Sequence, residues 1–154
     1  MTRQQNLALF SFPFAAMGSP CEIELYASCD NDARVIAEKA IVEVRRLEAR
    51  YSRYRADSLL SEINRVAACG GHIEVDAETS ALLNYADTCF EQSDGLFDIT
   101  SGILRRVWRF DRQVLPAPED IHALLAHIGW HKVSWRSPVI GFPKGMEIDF
   151  GGIV

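Results

Sequence analysis

The hydrophobic period changes at Asp30, and that change most limits what the chain can fold into. Between Cys21 and Ala27 polar and apolar residues alternate, which sets Cys21, Ile23, Leu25 and Ala27 on one face of a half-buried strand. From Asp30 onward, Ala33, Ile36, Ala37, Ala40, Ile41, Val44, Leu47 and Tyr51 recur at helical spacing. Asp30 and Asp32 suit the positive end of a helix, so the pattern predicts a long amphipathic helix of about six turns. A strand and a helix that each carry one apolar face must share a core, and this favours an α+β chain.

The remaining segments are shorter. Ser58 to Arg65 reads as a short helix capped by Asp57 or Ser58, Cys69-Gly70-Gly71 as a turn and His72 to Val75 as a strand. Asp76 to Ser93 reads as a second helix with Leu82, Leu83, Ala86, Cys89 and Phe90 inward, ended by Asp94-Gly95. Leu96 to Gly102 has no clear period, whereas Ile103 to Trp108 suggests a short helix leading to Arg109-Phe110. Pro116 and Pro118, with Glu119 and Asp120, mark a helix start, and that helix should stop at Gly129 after Ile128. Three extended pieces follow, Lys132 to Trp135, Val139 to Phe142 and Met146 to Phe150, the last two joined by a Pro143-Lys144-Gly145 turn. The expected fold is α+β, with antiparallel sheet elements packed on amphipathic helices and Trp108, Trp130 and Trp135 in the core.

Composition narrows the class. With 48% hydrophobic and 24% charged residues in 154, disordered and fibrous chains are excluded. The net charge of −5 and the scattered basic residues argue against nucleic acid as the main partner; only Arg45-Arg46 and Arg105-Arg106 are adjacent basic pairs, each flanked by apolar residues. Cys21, Cys29, Cys69 and Cys89 lack metal-binding spacing and read as reduced thiols. The apolar run before Met17 imitates a secretory leader, but its weak basic start, Pro13 and the alternation beyond make it the approach to a strand. No stretch nears the roughly 20 apolar residues of a membrane span, and a cytoplasmic location is expected.

Four places could carry chemistry. Asp149-Phe150-Gly151-Gly152 places a carboxylate and then two glycines after an extended segment, an arrangement that lets a backbone approach a ligand. Because the chain stops two residues later, this site is expected to be unfinished. Ser93 to Thr100 mixes a turn, the Phe97 ring and short polar groups, so it could form a ligand wall or simply a helix-ending turn with its Asp and Thr bonded to local backbone. Met17-Gly18-Ser19 allows close backbone approach, and Tyr54 could stack on a ring or bond a phosphate, although taken alone a core role for Met17 and half-buried packing for Tyr54 are the more ordinary readings. His122, His127 and His131 read as surface or capping residues, and no nucleophile with a partnered base is apparent.

Taken in order, Met17-Gly18-Ser19, then Tyr54 with Ser58-x-x-x-Glu62-x-Asn64, then Gly95-Leu96-Phe97-Asp98-Ile99-Thr100 leading to Trp108-x-Phe110, then Ile148-Asp149-Phe150-Gly151-Gly152-Ile153 closely resembles the ApbE-type flavin transferases. That resemblance implies a magnesium-dependent enzyme that cleaves FAD and passes its FMN moiety to a threonine or serine hydroxyl of an acceptor flavoprotein, releasing AMP. It implies FAD contacts at Met17, Tyr54, Gly95, Leu96, Phe97 and Asp149, and a magnesium ligand in the Gly152 carbonyl. No catalytic residue is assigned. Members of the family continue with a Lys-Gly-Tyr-Ala-like helix start and a distant segment carrying further magnesium ligands. Residues 1–154 are therefore expected to form the N-terminal portion of one family domain, inactive alone. A non-catalytic flavin-binding or regulatory module is the alternative.

Overall fold

A computed structural model describes residues 7–108 and 115–154, so Phe110 of the Trp108-x-Phe110 pair lies outside the described residues. The chain divides into two compact units, Met1–Ser52 and Arg53–Val154.

In the first unit, β1 (Ala8–Ala16) and β2 (Ser19–Ala27) form an antiparallel hairpin in which Phe12 faces Ile23 and Phe14 faces Cys21. The apolar run ahead of Met17 is thus a strand, as its alternation indicates. Met17 and Gly18 make the tight turn with φ of 53° and 72°, a conformation easy for glycine and costly for methionine. The Met17 N–H donates to Glu48 Oε1 at 2.6 Å, which fastens the turn to α1 (Asp30–Arg50). This helix packs on both strands, with Ala33 and Ala37 buried. Ile36, expected inward, is 54% exposed, because small alanines occupy the centre of the packed stripe and move it off the Ile36 side.

The second unit begins with α2 (Leu59–Cys69), α3 (Ala77–Gln92) and the strand β3 (His72–Glu74) between them. Ser58 caps α2 by accepting from Ser61 N at 3.0 Å, and Asp76 caps α3 by accepting from Thr79 N at 3.0 Å. The short helix read from Ser58 continues one further turn to Cys69, since Val66 and Ala67 extend its apolar face. Leu60, Ile63, Ala67 and Leu83 are fully buried and form the core with Ile103, Ile140 and Phe150. A three-stranded antiparallel sheet of order β3-β5-β4 is completed by β4 (Ser134–Arg136) and β5 (Val139–Gly141).

Four expectations need correction. Leu96 to Gly102 and Ile103 to Trp108 are not separate pieces: Ile99–Arg106 is one 3-10 helix, started by Asp98, whose Oδ1 accepts from Thr100 N. α4 (Pro118–Leu125) stops before Ile128, because the Lys132 ammonium takes the Ala126 and Ile128 carbonyls beyond its end. The strand expected from Lys132 starts at Ser134, since Trp130–Lys132 forms a single 3-10 turn. Met146 to Phe150 is not a strand at all. Its backbone is matched elsewhere: Ile148 N donates to Asn64 Oδ1 at 2.8 Å, Asn64 Nδ2 donates to Ile148 O at 2.9 Å, and Asp149 N donates to Ile99 O at 2.9 Å. One side chain and one helical carbonyl stand where a strand partner would be.

Candidate active site

The 3-10 helix and this 146–152 strap enclose a cleft of about 520 Å³ in the second unit. The two can lie so close because residue 102 is glycine. A Cβ there would fall 2.7 Å from Asp149 Cβ, closer than real Cβ contacts come, and 3.0 Å from Asp149 N, itself tighter than most. Gly152 is similarly confined, since a Cβ on it would lie 3.0 Å from the Phe97 ring.

The upper wall follows from how α3 ends. Asp94 and Gly95 take φ of 52° and 78°, and the Ser93 hydroxyl donates to Phe90 O at 3.2 Å while accepting from Phe97 N at 2.9 Å. This tight turn aims Leu96 and Phe97 at the cleft, leaving Leu96 92% exposed. Gly95 shapes the turn and is not itself part of the wall. Asp98 and Thr100 are committed to structure. Asp98 accepts from Thr100 Oγ1 at 2.6 Å and from Trp130 N at 3.0 Å, and the fully buried Thr100 accepts from Gly129 N at 2.7 Å. The Asp98 bonds to Thr100 are the local turn contacts expected, whereas the bonds to Gly129 and Trp130 reach a segment about 30 residues away, and Phe97 lines the cleft.

On the strap, Asp149 Oδ1 accepts from Gly151 N at 2.9 Å, and Oδ2 pairs with the Arg53 guanidinium. Arg53 lies 5.0 Å over the Tyr54 ring. Hydrogen bonding to Tyr54, and next to Asp149, raises the Arg53 pKa above its already high value, so the group is a permanent cation.

Of the residues singled out in the sequence, Leu96, Phe97, Asp149 and Gly152 meet at this cleft. Tyr54 is 82% exposed beside it and outside its wall, and Met17 belongs to the first unit. Trp108, assigned above to the core, lines the cleft instead and is 39% exposed, whereas Trp130 is buried with its indole N–H on Asp87. Arg53, Gly102 and Arg105 also line the cleft and were not singled out. The Arg105-Arg106 pair inside an apolar stretch was a legible signal, and so was Glu147 between Met146 and Ile148. The described residues contain no group of three or more His, Cys, Asp or Glu able to hold a metal ion, and no described helix is long and apolar enough to cross a membrane.

An α+β fold with a wall-and-strap cleft lined by aromatic and charged side chains is the class these features define. Residues 17–154 match the ApbE family, and the chain belongs to that family. A FAD:protein FMN transferase of Chlamydia pneumoniae is 29% identical over 114 residues, covering 71% of this chain and 36% of that protein. The crystal structure of the Thermotoga maritima ApbE protein superposes with a TM-score of 0.83 at 28% identity, over 95% of this chain and 48% of its own. The apo Pseudomonas stutzeri flavinyl transferase ApbE shares the fold, with a TM-score of 0.83 at 24% identity over 100% of this chain and 51% of its own. The chain thus spans about half the length of the solved relatives and about a third of the curated one.

Proposed function

We propose that this chain is the FAD-holding part of an FAD:protein FMN transferase, which moves the FMN moiety of FAD onto a threonine or serine hydroxyl of an acceptor flavoprotein and releases AMP. The observation that carries the reading is the convergence of Leu96, Phe97, Asp149 and Gly152 on one cleft, from segments that are far apart in sequence. A cleft of about 520 Å³ falls within the roughly 300–1,000 Å³ typical of small-molecule sites. Phe97 and Trp108 offer aromatic faces to a planar ring, and the Asp149 carboxylate, already orienting Gly151 N–H, can accept a hydrogen bond from it. Tyr54 is exposed enough to add a contact, and we assign it to FAD as well.

In the transfer, a bond forms between the acceptor hydroxyl oxygen and the FMN phosphorus as the bond from that phosphorus to the bridging oxygen breaks; that oxygen leaves with AMP, and the hydroxyl proton is released to water. Charge on the pyrophosphate must be neutralised for this to proceed, which is what magnesium would supply. The Gly152 carbonyl offers one hard oxygen, but magnesium takes six, and the described residues do not make such a site on their own. We assign the remaining ligands to a longer protein of which this chain is a part, and propose a cytoplasmic location for it.

The test is covalent labelling. The full reading frame containing this sequence, incubated with FAD, magnesium and candidate acceptor flavoproteins, should yield a fluorescent acceptor band in a denaturing gel. The 154-residue chain alone should yield none. Absence of label with several acceptors, despite FAD binding, would favour the non-catalytic flavin module.

A further inference from the structure

We propose that Arg105 is the phosphate-recognising residue of the cleft and that the buried Glu147 is the positioning residue that aims it; the inference rests on the flavin-nucleotide reading above. Arg105 and Arg106 leave the last turn of the 3-10 helix side by side and both reach Glu147, on the strap. Arg105 Nη2 pairs with Glu147 Oε1, while Arg106 approaches Oε2 through Nε at 3.1 Å and Nη2 at 3.0 Å. The Glu147 side chain is only 7% exposed, so it is held in one place and its charge has to be matched there.

Two guanidinium groups share this one carboxylate, which leaves a surplus positive charge. Of the two, only Arg105 lines the cleft. The other charges on the wall are already engaged: Arg53 is paired with Asp149, and Asp98 turns its oxygens to Thr100 and Trp130 N–H. A guanidinium carries five N–H donors in a planar fork, more than Glu147 Oε1 can accept, and that fork matches two phosphate oxygens. Arg105 and Trp108 both line this cleft, so a ligand with a planar ring and an adjoining phosphate can meet both groups.

Binding to the 154-residue chain of FAD, ADP and riboflavin, which shares the flavin ring but has no phosphate, separates charge recognition from packing. Arg105→Gln should weaken FAD and ADP about tenfold or more while leaving riboflavin within about twofold. Arg105→Lys should recover part of the loss, because a point charge replaces the fork. Glu147→Gln should weaken FAD and ADP in the same selective way, whereas Arg106→Gln should leave the FAD-to-riboflavin affinity ratio unchanged. Equal losses for FAD and riboflavin in Arg105→Gln would overturn the inference, as would no loss in either, or a loss in Arg106→Gln as large as in Arg105→Gln. Failure of the unaltered chain to bind FAD or riboflavin would overturn the functional reading, and this inference with it.

Discussion

Removal of the Asn64 amide should cost the second unit a large part of its stability, because one side chain does for the strap what a neighbouring strand does elsewhere. Asn64 accepts from Ile148 N at 2.8 Å and donates to Ile148 O at 2.9 Å. Ile148 is 1% exposed, so in Asn64→Ala neither backbone group can turn readily to water. Each buried group left unmatched costs about 1–3 kcal/mol, and with partial relaxation the pair should cost about 2–4 kcal/mol. Against a domain stability of about 5–15 kcal/mol, that loss is readily measured. Asn64→Asp should not restore it, since a carboxylate oxygen would then face the Ile148 carbonyl. All three tryptophans, Trp108, Trp130 and Trp135, lie in the second unit, so urea unfolding followed by tryptophan emission reports that unit selectively. A loss below about 0.5 kcal/mol at unchanged urea dependence would refute the reasoning.

Three further outcomes follow from the same geometry. Gly102→Ala should destabilise the unit by about 1–3 kcal/mol in the same urea assay and weaken FAD binding, because the new Cβ would collide with Asp149 backbone and Cβ and lift the strap. Asp76→Ala removes the acceptor for Thr79 N at the start of α3 and should cost about 1 kcal/mol without altering FAD affinity. Hydrogen bonding to Arg46 lowers the Glu43 pKa, and hydrogen bonding to Arg55 lowers that of Asp57. A carboxylate whose folded pKa is depressed contributes stability that is present above its unfolded pKa and lost as pH falls through the folded value. Both groups are fully exposed, so a thermal-unfolding series across the acid range should show only a small loss from them, one that high salt removes.

What could be read from the sequence was what depends on neighbours in sequence. The α1 period, a cap for α2 at Asp57 or Ser58 and the Asp94-Gly95 turn all arise from residues within a turn or two of one another, and each appears in the structure, with Ser58 as the cap. The strap was misread because Val139 to Phe142 and Met146 to Phe150, joined by a proline-glycine turn, have the pattern of a hairpin. Its actual partner is a side chain 84 residues upstream, which no local pattern announces. Trp108 has the look of a core residue in the sequence, whereas the other residues that line the cleft with it, Phe97 and those of the strap among them, come together only in the folded unit. Arg53 and Asp149 are 96 residues apart, and Arg106 and Glu147 are 41 apart. Pairs at such separations require the topology. Family motifs did supply Leu96, Phe97, Asp149 and Gly152, since an ordered set of short segments survives where individual contacts cannot be foreseen.

The central claim, that the wall-and-strap cleft receives a flavin nucleotide, is tested most directly by titrating FAD into the 154-residue chain while following tryptophan emission. Trp108 is the one tryptophan among the described cleft-lining residues, so the account predicts saturable quenching whose amplitude falls sharply in Trp108→Phe. Quenching that never saturates, or that is just as large without Trp108, would contradict it.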